Sequence, residues 1–130
     1  MTSNFAVARD LFLDIRLDES ITDYGFEDAL FGIMLQKRAV PIAHIHAPVH
    51  HNGLESNAQY VAKVEQAMRT LHALPQMQPH ASVARAAARL RPVAALLMPL
   101  RPLLRWLATC RRPQVWALQA YKLCYYLSIE

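Results

Sequence analysis

Cysteine and glycine are scarce in this 130-residue chain, and acid is almost missing from its second half. The two cysteines, Cys110 and Cys124, have no metal-ligand spacing and are too few for a disulfide framework, which points to a reducing compartment. The longest apolar run, Val93 to Leu100 with its proline, falls far short of the roughly 20 residues that span a bilayer. The N-terminal residues include Asn4, Arg9 and Asp10 and lack the apolar stretch of a signal peptide. These absences set the expectation of a soluble or peripheral cytoplasmic protein. Residues 1–65 carry nine acids and five bases, a balance of −4, whereas residues 66–130 carry nine bases and only Glu130, a balance of +8. The positive field is therefore concentrated in one half. With 54% apolar content, the length suits one domain with a core of its own.

What is present is organised around residues 22–35, from Thr22 to Leu35. Gly25 takes up left-handed backbone cheaply and suits the turn before a helix. Glu27 and Asp28 then fall in the first helical turn, where free N–H groups and the helix dipole favour negative charge. Phe26, Leu30 and Met34 follow at helical spacing, with Phe31 and Leu35 beside them, as one buried stripe. Gly32 lies one turn after Asp28 on the same side. A glycine there costs about 1 kcal/mol against alanine, which points to a close approach at that position. By themselves, Glu27 and Asp28 read first as helix-start charges.

The surrounding motifs give this stretch a context. Asn4-Phe5, Arg9-Asp10-Leu11-Phe12, Leu17-Asp18-Glu19 and Tyr24 to Gly32 occur in that order. Arg38 to Ile45, Pro48 to His51 and Gly53-Leu54-Glu55-Ser56-Asn57 follow, with a helix after them. In order and spacing, residues 3–75 resemble the region around the acidic motif of a family 2 glycosyltransferase. The resemblance implies an α/β fragment, mostly helical: the C-terminal, acceptor-side part of a GT-A (Rossmann-like) fold, followed by a basic helical extension. It implies two parts, 1–75 and 76–130.

By the same resemblance, Asp28 is the candidate base for an inverting sugar transfer, with Glu27 positioning it or touching the acceptor. The base must reach the acceptor hydroxyl, and the departing nucleoside diphosphate needs a divalent metal or positive side chains. His51 aligns with the family histidine that approaches the diphosphate or its metal, which makes it the cofactor-binding and metal candidate. His44 and His46 stand two apart on an expected strand and share a face, as two ligands of one metal could. Solvated or hydrogen-bonded histidines are the commoner arrangement, and His44, His46 and His50 read as structural. No Asp-x-Asp pair and no glycine-rich turn after a strand occurs in the chain. The nucleotide-binding half of such an enzyme is therefore expected elsewhere, and manganese or magnesium belongs to the complete enzyme. Nucleotide-sugar and an acceptor glycan or lipid of the cell envelope are the implied partners.

In order, the chain reads as a strand at 4–7, a helix at about 8–15 with Leu11, Phe12 and Ile15 inward, and a polar turn at 17–22. The acidic helix to about 38 and a strand at 39–45 come next. Ser56 and Gln59 fit a capping box opening a helix to about 74, with Val61, Val64, Ala67, Met68 and Leu71 inward. Pro75 and Pro79 end it. The tail reads as short amphipathic helices at about 81–91, 93–109 and 113–128. Residues 81–128 hold eight bases and no acid. Two readings stand for this tail: a packing surface for the other half, or a non-catalytic adaptor surface that docks on a partner protein or on an anionic membrane, such as the inner face of the cell membrane. In the second, Arg101, Arg105, Arg111 and Arg112 face the lipid with Leu96, Leu97, Leu103, Leu104 and Trp106. The helical arginine spacing, without base-stacking aromatics, argues against nucleic acid.

Overall fold

Helix follows helix through the computed structural model, which describes residues 4–17, 21, 24–50 and 52–129. The described residues form α1 (Arg9–Asp14), α2 (Glu27–Lys37), α3 (Asn57–Ala73), α4 (Ser82–Leu97), α5 (Arg101–Thr109) and α6 (Val115–Leu127), with a 3₁₀ turn at Met98–Leu100. The chain is thus mostly helical. The turn expected at 17–22 lies largely outside the described residues.

The capping box forms as its sequence requires. Ser56 accepts from the Gln59 N–H, and the Gln59 side chain accepts from the Ser56 N–H. Such a cap stabilises a helix by about 1 kcal/mol. From it α3 presents Val61, Met68 and Leu71 to the interior, all nearly inaccessible, with Val64 and Ala67 partly covered beside them. Ile15 is likewise buried at the end of α1. Rings from the first segments gather on α2: Phe5 and Phe12 stand 6.2 Å and 6.0 Å from Phe31.

Helix α6 is apolar nearly all round, with Lys122 its single charge, and such a helix must be surrounded. It packs against α3, α4 and α5. One cluster joins Leu30, Met68, Leu71, Met77, Ala87 and Tyr126 across α2, α3, α4 and α6. A second joins Val61, Leu104, Ala108, Ala117, Tyr121 and Cys124 across α3, α5 and α6. Both clusters draw on the tail, so α3 is buried by residues on either side of position 75.

Three expectations are corrected. Segments 4–7 and 39–45 are irregular chain, and no strand occurs among the described residues. A strand is held by the ladder it shares with a neighbour, and among the described residues no backbone hydrogen bond joins the two segments; Pro41 removes one donor as well. The tail does not break at Pro92. There α4 only kinks, at Leu90 (φ −107°, ψ 16°), and the break falls at the 3₁₀ turn that contains Pro99. A proline ring pushes against the carbonyl four residues back, which bends a helix without ending it when both sides are packed; Ala87 and Ala94 are buried on either side. Finally, nothing among the described residues approaches Gly32: none outside its own helix places an atom within 4 Å of a Cβ built there.

Gly25 is the opposite case. Its φ is +112°, and a Cβ would stand 2.8 Å from the Cβ of Ala67 and 3.2 Å from its Cα. The two glycines therefore predict opposite signs. Gly25→Ala should destabilise the fold by about 1–3 kcal/mol, since strained backbone and an overlap with α3 coincide. Gly32→Ala should stabilise α2 by up to about 1 kcal/mol. Urea denaturation of the two variants checks this; a neutral Gly25→Ala would refute the packing of the turn on α3.

Candidate functional site

The acidic pair sits on a turn clamped to α3. Thr70, buried in α3, donates its hydroxyl to the Tyr24 carbonyl at 3.1 Å, with the Gln66 carbonyl also in reach. Lys63 stands 5.3 Å from the centre of the Tyr24 ring and pairs with Glu55, whose carboxylate raises the lysine pKa. Gly25 lies against Ala67, one turn along. Phe26 then adopts left-handed backbone (φ 72°, ψ −6°) at the N-cap of α2. For a bulky aromatic residue this costs about 1–2 kcal/mol, and its ring packs into the first core cluster, which offsets the strain.

That backbone gives the two acids different surroundings. Glu27 folds back, its carboxylate accepting the Gly25 N–H at 3.0 Å, and so fastens the turn. Asp28 accepts the Ala29 N–H at 2.7 Å and is half-buried. Both lie in the first turn of α2, as the sequence led us to expect. Gly32 leaves the space one turn on from Asp28 unfilled.

The described histidines do not join them. His44, His46 and His50 are exposed on the irregular chain between α2 and α3, and His51 lies outside the described residues. Among the described residues no three of His, Cys, Asp and Glu converge to hold a metal ion. Side-chain hydrogen bonds tether this irregular region and its junction with α3. Asn4 Nδ2 donates to the Ala47 carbonyl at 2.7 Å, and Asn57 Nδ2 donates to the Cys110 carbonyl at 2.9 Å.

A second polar group was not anticipated. Glu65 of α3 accepts on one oxygen from both the Tyr121 hydroxyl, at 2.7 Å, and Arg105 Nε, at 2.9 Å. Burial raises the Tyr121 pKa, and the adjacent carboxylate raises it further, to about 12. Burial alone would raise Glu65 too, but the hydrogen bonds from Tyr121 and Arg105 outweigh it and hold the carboxyl below its usual value. The signal for this group was the charge map: Glu65 is the last acid before 64 residues without one. Arg101 is tied inward as well, donating to Ser128 Oγ at 2.8 Å and lying 5.6 Å from the Tyr125 ring centre. Leu104 is buried and Leu97 packs on the second cluster. Of the residues expected to face a membrane, Leu97 and Leu104 thus belong to the core contacts, while Arg101 and Arg105 are engaged by Ser128, Tyr125 and Glu65, Arg105 staying largely exposed. Cys110 and Cys124 are both free thiols, and burial raises that of Cys124.

Neither a protein-family model, nor a curated protein, nor a solved structure matches the chain.

The Glu65 junction predicts the pH profile of stability. The folded state holds the Glu65 carboxyl below its ordinary value near 4.5, so its contribution is complete above that pH and is lost as the pH falls through the folded value. Tyr121 keeps its proton in the folded state, so stability falls as the pH rises from 10 towards about 12. Tyr121→Phe should cost about 1.5–3 kcal/mol at neutral pH, as for a hydrogen bond to a charged group. It should also flatten the alkaline slope, leaving the part due to Tyr126, whose pKa burial also raises. Urea denaturation from acid to alkaline pH measures both. An unchanged alkaline slope in Tyr121→Phe would contradict the assignment.

Proposed function

We propose that this chain is the acceptor-side part of a family 2, GT-A type glycosyltransferase, in which Asp28 is the general base. The observation that carries the reading is the clamped turn at Tyr24–Phe26, which sets a half-buried aspartate at a helix start beside unfilled space over Gly32. Strained backbone persists where surrounding contacts over-determine it, and such places gather at functional sites. The order of motifs from Asn4 to Asn57 supplies the reaction class by resemblance.

In the proposed reaction the Asp28 carboxylate takes the proton of an acceptor hydroxyl as that oxygen bonds to the anomeric carbon. The bond from that carbon to the nucleoside diphosphate breaks on the opposite side, with inversion. Glu27 is a positioning residue, since its carboxylate closes the turn on Gly25. The acceptor is a glycan or lipid of the cell envelope, and the donor a nucleotide-sugar. His51 is the proposed contact to the diphosphate or its manganese or magnesium ion, with the remaining ligands in a nucleotide-binding half. The described residues offer no group that could hold the ion by themselves.

The apolar surface of the irregular region supports a missing neighbour. Ile42, Val49 and, more fully, Ile45 (81%) and Leu54 (92%) are exposed between α2 and α3. An α/β sheet supplied by the nucleotide-binding half would cover residues of this kind.

Two outcomes are expected. Calorimetry on this chain alone should find only weak binding of nucleotide-sugars, with or without manganese; tight metal-dependent binding would overturn the division into halves. Fused to the nucleotide-binding half of a family 2 enzyme, the chain should support turnover that Asp28→Asn reduces by about 10²–10⁴. Glu27→Gln should instead lower stability. Turnover of Asp28→Asn within a factor of about three of the parent would reject the base, since losing only a helix-start charge costs under about 1 kcal/mol of stability.

A further inference from the structure

The tail carries a face that the proposed reaction does not use. Val93, Leu96, Leu100, Leu103 and Trp106 follow one another at intervals of three or four residues from α4 through the 3₁₀ turn into α5. All are largely exposed, Leu96 at 78% and Trp106 at 61%. Their neighbours Ala94, Leu104 and Ala108 are buried, so these two helices turn one side to the core and the apolar stripe outward. Exposed apolar residues in such a row mark an interaction surface and not ordinary scatter.

Charge selects the occupant. Arg89, Arg91, Arg111 and Arg112 are exposed at the ends of the stripe, and among the described residues none of them has an acidic partner. Arg101 and Arg105, by contrast, are engaged by Ser128, Tyr125 and Glu65. No described residue beyond Glu65 is acidic. Aliphatic side chains, a tryptophan and unpaired arginines together fit a lipid interface, where the apolar row enters the acyl boundary and the guanidinium groups meet phosphates. Nucleic acid would leave the leucine row in water. No helix of the described residues is long and apolar enough to cross a membrane.

We infer that the α4–α5 face docks in the plane of an anionic bilayer, with Leu96, Leu103 and Trp106 inserted and Arg89, Arg91, Arg111 and Arg112 on the headgroups. This stands apart from the sugar-transfer reading and needs no catalytic residue.

Co-sedimentation of the full chain with phosphatidylcholine vesicles, with and without phosphatidylglycerol, tests it at low and high salt. Anionic vesicles should bind the chain, and salt should weaken the binding without removing it; neutral vesicles should bind far less. Each arginine near an anionic surface contributes about fivefold to partitioning, reduced by screening. The variant with Arg89, Arg91, Arg111 and Arg112 changed to glutamine should therefore lose on the order of 10²-fold of its anionic preference. The same four positions changed to lysine should keep most of it. Leu96→Ser with Trp106→Ser should remove the salt-resistant part. Circular dichroism matching the parent establishes that each variant is folded. Equal binding to both vesicle types, binding to neither, or a glutamine variant within twofold of the parent would overturn the inference.

Discussion

One carboxylate oxygen, on Glu65, joins three helices by receiving the hydroxyl of Tyr121 and the guanidinium of Arg105. The chain is divided by charge, acidic before residue 66 and basic after it. Glu65 stands at that boundary, where the charge it supplies can be answered from the tail. A half-buried carboxylate with neither donor would be costly, and with both it ties α5 and α6 to α3. Removing one partner leaves a charge under-satisfied, so the junction specifies an arrangement more than it adds net stability.

From that arrangement the rest follows along α3. Its Val61 lies in the cluster with α5 and α6, and its Met68 and Leu71 in the cluster with α2, α4 and α6. The same helix carries Ala67 and Thr70, against which the Tyr24–Gly25 turn rests. The acidic pair of α2 is therefore positioned at second hand. Tail residues hold α3, α3 holds the turn, and the turn aims Glu27 and Asp28 differently although they are neighbours in sequence. A basic tail that looks like an appendage is, in these contacts, the support of the candidate site.

Local signals were the legible ones. The capping box at Ser56 and Gln59, the left-handed backbone at Gly25 and the inward face of α3 all appear as read, because each depends on a few adjacent residues and a helical period. The strands at 4–7 and 39–45 were not recovered, since a strand is a property of a pair and one sequence segment does not carry its partner. Gly32 misled for a related reason: a glycine marks room, and only the folded chain shows whether that room is filled. The engagement of Arg101 and Arg105 by Ser128, Tyr125 and Glu65 was invisible because an arginine on an amphipathic helix has the same pattern whether it meets lipid, water or a neighbouring acid. Of the candidate site, Glu27 and Asp28 were readable as helix-start acids, while their different hydrogen bonds needed the backbone of Phe26. His51 lies outside the described residues.

The account rests on the claim that the tail organises α3 and, through it, the acidic turn. Amide hydrogen exchange read at residues 24–30 and 61–71 tests this directly, in the full chain and in one ending at residue 75. In the full chain, amides of α3 around Val61 to Leu71 should be strongly protected, and those of Ala29 and Leu30 measurably so. In the shorter chain both sets should lose protection together. Protection of α3 and the turn that survives without the tail would contradict the account.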